Sequence, residues 1–214
     1  MYRLIKSVLD WLTALLLTVI LLPATAVICL IIWADGNGKP IFWQYRSGLH
    51  GRQFKCYKFR TMTTLDVKFD IDNPVVGEDD SHVTGVGRFL RKFKLDELPQ
   101  LFNILRGEMS FIGPRPLLTV YMDRYEDWET YKLTVKPGLT GLGQVNGNGY
   151  LGLAERSYYE VKYALDMSFI LDIEIFFKTF GVVILGEEKF LRKVEPERIE
   201  QIIKKVGECR RTSR

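Results

Sequence analysis

No charged side chain interrupts the stretch from Trp11 to Ala34, so this run must meet lipid or a deep core. As one straight helix it reaches about 36 Å at 1.5 Å per residue, enough to cross a hydrocarbon layer of roughly 30 Å. Pro23 stands at its middle, where it removes a backbone donor and leaves the Val19 carbonyl without its helical partner. A break there yields two halves of about 18 Å, too short to cross. The pattern therefore predicts a hairpin that dips into one leaflet and returns. Arg3 and Lys6 before the run, with Lys39, Arg46 and Arg52 after it, ask both ends to stay on the cytoplasmic side. The competing expectation is a kinked, fully spanning helix in which Thr18 or Thr25 serves the freed backbone groups. Cleavage as a signal peptide is not expected, because the run leads into Trp33, Asp35 and Lys39.

Beyond the Asp35-Gly36-Asn37-Gly38 turn, aromatic-rich stretches at Ile41–Arg46 and Phe54–Arg60 predict two strands of a β-hairpin joined through Ser47–Arg52. Residues 66–81 are acidic and aperiodic, a loop signal. Arg88–Lys94 and Pro99–Arg106 predict short helices, the second opened by proline in its favoured first turn and stopped by Gly107. Longer helices are predicted at Leu153–Leu165 and Phe169–Leu185. The latter is very apolar, but Asp172, Glu174 and Lys178 argue against a second crossing, leaving a core position or the lipid interface. The expected fold is α+β: a helix-rich globular domain with a small β-hairpin and an N-terminal re-entrant membrane helix-break-helix. The expected boundaries are a membrane hairpin at 1–36, a catalytic domain at 37–188 and a basic, solvated helical tail at 189–214 to which no chemistry is assigned.

Charge sharpens the membrane reading. The 214 residues carry a net charge of +4, but residues 1–60 hold eight Lys or Arg against two Asp or Glu, so the remainder carries −2. Positive charge gathered beside an apolar run suits an anionic lipid surface. Nucleic acid is not an expected partner, since no zinc-finger spacing, RNP motif or helix-turn-helix pattern accompanies the charge. Cys29, Cys56 and Cys209 are widely separated and suggest neither a disulfide framework nor a CxxC metal site. With only His50 and His82 present, histidine-rich zinc sites are not expected.

Candidate chemistry centres on Lys94-Leu95-Asp96-Glu97-Leu98-Pro99-Gln100-Leu101, where adjacent carboxylates follow Arg88, Arg91, Lys92 and Lys94. Such a pair is more often a solvated surface feature. Cleaving a diphosphate, however, needs a nucleophile, a divalent cation and basic groups to hold the remaining charge. A carboxylate can attack phosphorus to form an acyl phosphate, and magnesium takes one or two carboxylates beside substrate phosphates. Arg91 and Arg115 are candidates for holding phosphate, Arg115 being stiffened between Pro114 and Pro116. Lys58 and Arg60 alternate with aromatics at strand spacing and are expected on one sheet face, toward phosphate or toward solvent. The glycine-rich stretch Gly138–Gly147, with Gln144 a candidate substrate contact, lacks both the GxGxxG spacing and a Walker lysine; it is read as a tight loop for close backbone approach or as a structural turn cluster.

Five ordered blocks resemble one known family. They are the proline-broken apolar start, Tyr57-Lys58-Phe59-Arg60-Thr61-Met62, Leu95-Asp96-Glu97-Leu98-Pro99-Gln100-Leu101, Met109-Ser110-Phe111-Ile112-Gly113-Pro114-Arg115-Pro116 and Lys136-Pro137-Gly138-Leu139-Thr140-Gly141. Over nearly its whole length the chain is similar to the bacterial sugar transferases, also called monotopic phosphoglycosyl transferases. The resemblance implies a re-entrant helix bent at Pro23 and an enzyme on the cytoplasmic face of the bacterial inner membrane. It implies Asp96 as nucleophile on the β-phosphate of a UDP-sugar, release of UMP, and transfer of the phosphosugar from Asp96 to polyprenol phosphate (undecaprenyl phosphate), initiating exopolysaccharide or lipopolysaccharide assembly. Glu97 is then the dyad partner, Mg²⁺ the cofactor at Asp96, and Lys58, Arg91 and Arg115 phosphate-site or supporting residues. Two other readings stay open: a membrane-anchored scaffold in which the dyad is incidental, and a nucleotide-sugar hydrolase with water as acceptor. Neither the sugar nor the oligomeric state is encoded in these motifs.

Overall fold

The computed structural model describes residues 2–36, 38–63 and 82–212; the acidic stretch expected as a loop at 66–81 lies outside them. Helix α1 runs from Tyr2 to Ala34. Strands β1 (Ile41–Ser47) and β2 (Gln53–Phe59) form the expected antiparallel hairpin, with Ile41 opposite Phe59 and Ser47 opposite Gln53. Two short helices follow, α2 (Gly85–Lys92) and α3 (Gln100–Leu105). Strands β3 (Ser110–Ile112) and β4 (Gly138–Thr140) pair in parallel as a second small sheet. Helices α4 (Leu153–Asp166), α5 (Phe169–Leu185) and α6 (Pro196–Thr212) complete the chain. The architecture is α+β and mostly helical, as the periodicity implied.

At Pro23, where a break was expected, α1 does not end: the helix continues through that residue. One proline removes a single hydrogen bond from a ladder otherwise intact on both sides, and the long apolar flanks keep their helical preference. Nearby, the Thr18 hydroxyl donates to the Ala14 carbonyl at 2.7 Å. Both ends of α1 are docked on the globular part. Near the N-terminus Lys6 Nζ lies 2.7 Å from Asp172 Oδ2 of α5, and the Ser110 hydroxyl donates to Asp10 at 2.7 Å. Tyr163 of α4 donates to the other Asp172 oxygen at 2.7 Å, so these buried charges are compensated. Ala14 packs with Phe54, Cys56, Leu101, Ile104 and Met109. At the far end Ile32 packs with Phe59 and Leu90. Between Ala14 and Ile32 no residue of α1 is buried.

Helix α5 enters the core with one face and leaves an apolar face exposed on the other. Ile175 and Val182 enter the main core with Ile112, Val135, Leu142, Val145, Tyr163 and Ala164. Its other face exposes Phe169, Ile170, Phe177, Phe180 and Ile184. The tail is less solvated than its basic composition suggested. Ile202 and Val206 of α6 are buried with Trp128, Tyr158, Val161 and Val194, because apolar residues at 199, 202 and 206 share one helix face.

Candidate active site

The dyad lies on a short 3-10 turn, Leu95–Glu97, between α2 and α3. Lys94 enters that turn in left-handed conformation, with φ of 56°. Leu95 and Leu98 pack beside Phe59, Leu90 and Ile32, which anchors the apolar side of the turn. The intervening Asp96 and Glu97 are each only 9% exposed, so neither is an incidental surface charge. Buried carboxylates need cationic partners, and β2 supplies the first. Lys58 Nζ lies 2.6 Å from Glu97 Oε1 and 4.0 Å from Asp96 Oδ2. Arg115 adds a second contact, its Nη2 standing 3.4 Å from the same Glu97 oxygen.

These contacts separate the two carboxyl groups chemically. Burial pushes the Glu97 proton affinity up, but Lys58 and Arg115 outweigh it and hold the carboxyl at about 2. For Asp96 burial prevails over the attraction of Lys58, and the neighbouring Glu97 charge adds to it, so its proton affinity is raised above the ordinary aspartate value. Glu97 is thus the committed anion of the pair, and Asp96 the more basic, less neutralised oxygen donor. Divergent environments of this kind assign different roles to paired carboxylates.

The other sequence candidates are distributed unequally. Arg91 Nε donates to the Thr61 hydroxyl at 2.9 Å, and its charge acts on Asp96. Arg60 is held elsewhere: its Nε donates to the Lys39 carbonyl at 2.8 Å and its guanidinium lies over Phe42. Strand β2 ends at Phe59, so the alternation expected to align Arg60 with Lys58 stops one residue too early. Gln144 folds back on the glycine-rich loop, donating from Nε2 to the Leu139 carbonyl at 2.8 Å, while its Oε1 is buried without a hydrogen-bond partner. Pro23 lies within α1.

Two sequence blocks prove to be halves of one device. The segment carrying Arg115 rests backbone to backbone on Lys136–Gly141: Gly138 N donates to the Pro114 carbonyl and Gly113 N to the Thr140 carbonyl, both at 2.9 Å. A Cβ on Gly138 would stand 2.1 Å from Gly113 N, and one on Gly141 would stand 2.0 Å from Gly113 O, so glycine is required by contact. Gly138→Ala is expected to cost about 1–3 kcal/mol through overpacking. It also displaces Arg115 from Glu97, so activity falls further than thermal stability; parallel melting and turnover assays check this.

Arg46, Asn148, Arg156 and Glu187 also reach this region and were not candidates from sequence. Arg46, counted there as a membrane-flanking charge, is half-buried beside the Arg115 loop and donates to the Pro116 carbonyl at 3.2 Å. Arg156 of α4 is buried, bonds the Asn148 carbonyl at 3.1 Å, and leaves Nε without a partner. No motif encloses any of these four; a buried arginine inside an amphipathic helix was the one available signal. Among the described residues no three His, Cys, Asp or Glu side chains converge as a metal cage. A magnesium ion needs no such cage: one carboxylate, substrate phosphates and retained waters suffice, and Asp96 fits that requirement.

The sequence model described as bacterial sugar transferase matches residues 1–186. The chain is 38% identical over 195 residues to the UDP-galactose-lipid carrier transferase of Erwinia amylovora, covering 85% of this chain and 41% of that protein. It is 37% identical over 195 residues to the undecaprenyl-phosphate galactose phosphotransferase of Salmonella typhimurium, again covering 85% of this chain and 41% of that protein. The chain therefore spans about two fifths of the length of these two relatives. With the exopolysaccharide production protein ExoY of Sinorhizobium fredii it shares 36% identity over 198 residues, 86% of this chain and 88% of that protein. A match over most of the chain, with the dyad, Arg115 and the glycine-rich loop joined in one buried site, makes this protein a member of the bacterial sugar transferase family.

Proposed function

We propose that the protein transfers a sugar 1-phosphate from a UDP-sugar to polyprenol phosphate at the cytoplasmic face of a bacterial inner membrane. The observation that carries this reading is the buried Asp96–Glu97 turn, in which Lys58 and Arg115 engage Glu97 and leave Asp96 the more basic oxygen. An Asp96 oxygen attacks the β-phosphorus of the donor. The bond from that phosphorus to the bridging oxygen breaks, and UMP departs with the electron pair. An oxygen of polyprenol phosphate then attacks the same phosphorus and expels the Asp96 carboxylate, regenerating the enzyme. Splitting one displacement into two is the usual gain of covalent catalysis. Arg91 and Arg115 hold non-reacting phosphate oxygens, a task suited to the planar guanidinium. Magnesium held by Asp96 supplies neutralisation of phosphate charge when bound.

Membrane attachment follows from α1. Its composition suits a span, yet Lys6 and Asp10 at one end and Ile32 at the other all contact the same globular unit. A straight crossing would carry one end roughly 30 Å away. Docking at both ends favours a helix that bends at Pro23 without breaking and stays with one leaflet, with the outer face of α5 lying on the same lipid surface.

The test is a panel of UDP-sugars assayed for UMP with and without polyprenol phosphate. Acceptor-dependent UMP release with ping-pong kinetics is expected for one of them. Sugar phosphate appearing without lipid acceptor identifies a hydrolase, and no product from any donor leaves a scaffold.

A further inference from the structure

The family match ends at residue 186, yet the next residue reaches into the site. Glu187 Oε1 lies 2.8 Å from Lys94 Nζ. The Asn148 amide donates to both Glu187 oxygens, at 3.0 and 3.1 Å. Lys94 is two residues before Asp96 and opens the dyad turn, while Asn148 follows directly on the glycine-rich loop. The carboxylate therefore joins two segments that sequence places far apart.

Both partners are conformationally unusual. Among the described residues only His50, Lys94 and Asn148 are non-glycine residues with left-handed φ, at 54°, 56° and 40°. Such a backbone costs about 1–2 kcal/mol per residue and persists where surrounding contacts hold it. Two of the three strained positions are thus held by one carboxylate. The segment that delivers it is itself secured. Arg192 N donates to the Asn146 carbonyl at 3.0 Å, Val194 N to Glu155 at 2.9 Å, and Tyr159 to the Arg192 carbonyl at 2.9 Å. Leu191 lies against Gly147, where a Cβ would approach it to 2.6 Å. Residues 187–194 form a strap across the glycine-rich loop.

We infer that Glu187 is a positioning residue of the transferase, and that its strap sets the angle at which the dyad turn presents Asp96 by holding Lys94 and Asn148 together. The inference rests on the transferase reading above. Glu187 touches neither Asp96 nor Glu97; it acts through the backbone of Lys94. Misplacing a nucleophile by about 1 Å can cost up to 10²-fold in rate without weakening binding of the remote parts of the substrate.

The experiment compares full-length wild type, Glu187→Gln, Glu187→Lys, Lys94→Glu and the exchanged double variant Lys94→Glu/Glu187→Lys in detergent or nanodiscs. Glu187→Gln is expected to lower kcat about tenfold while donor KM stays within about twofold. Hydrogen exchange should accelerate at residues 94–98 but not in α4. Each charge reversal should lose more than Glu187→Gln, and the exchanged pair should recover at least fivefold over either reversal. Wild-type kcat and unchanged exchange in Glu187→Gln, or an exchanged pair no better than its singles, overturns the inference. Because exchange is read without substrate, a wild type that releases no UMP refutes the transferase reading while the tie between Glu187 and the dyad turn is still measured.

Discussion

Asp96→Asn lowers UMP release by about 10³-fold or more, the scale expected when a covalent nucleophile is removed from an otherwise intact site. Asparagine keeps the shape of the side chain but lacks the carboxylate oxygen that is the nucleophile of the proposed first step, so the single-turnover burst and the phosphosugar adduct on the protein are expected to vanish together. Stability moves the other way. Burial and the adjacent Glu97 raise the Asp96 proton affinity in the folded state. A carboxyl whose folded value is raised favours the fold below its unfolded pKa, and that gain is lost as pH rises through the folded value. At neutral pH the ionised Asp96 is therefore a burden on the fold, and Asp96→Asn should melt at the same temperature as wild type or higher. A variant with turnover within tenfold of wild type removes Asp96 from the mechanism. Lower stability than wild type at neutral pH contradicts the electrostatics assigned to the dyad.

Lys58→Met has the second largest expected effect because Lys58 makes the shortest contact to Glu97, at 2.6 Å, and also faces Asp96. Removing one partner of a buried pair costs about 3–5 kcal/mol, since the remaining charge is left without compensation. Activity is expected to drop by about 10²-fold through loss of charge held at the phosphate site. The pH dependence gives a sharper reading. Glu97 is held at about 2, below its ordinary value of 4.5, so it favours the fold above that ordinary value and the contribution is lost as pH falls through about 2. In Lys58→Met that advantage shrinks, and the melting curves of variant and wild type should converge as pH drops from 4.5 toward 2. The double variant Lys58→Met/Glu97→Gln should recover stability relative to Lys58→Met but not activity, because the carboxylate that Lys58 neutralised at 2.6 Å is then uncharged, while Arg115 gives up only its longer 3.4 Å contact. A constant melting difference across that pH range would remove the pair from the account.

The apolar N-terminus shows how far local pattern reaches. Charge-free composition marked a helix long and apolar enough to cross a membrane, and the two longer helices predicted at 153–165 and 169–185, like the hairpin, appeared within a residue or two of their sequence bounds. Pro23 did not end the helix, because one missing donor is a local cost set against long helix-forming flanks. Arg60 stands just past the end of β2, for a related reason. Alternation was read one residue past the end of the pairing, and strand ends are set by the partner strand, here Ile41 opposite Phe59.

Residue types and spacing by themselves determined the α+β class, the apolar helix and the identity of the two carboxylates, since each depends on neighbours within a few positions. Tertiary structure alone decided which cations those carboxylates meet, that Arg115 is carried by a glycine surface 23 residues further on at Gly138, and that Arg46, Asn148, Arg156 and Glu187 share the site. The physical reason is range. Helix and strand preferences arise from torsions and nearby sterics, whereas the neutralisation of a buried charge depends on groups brought within a few ångströms by the whole fold.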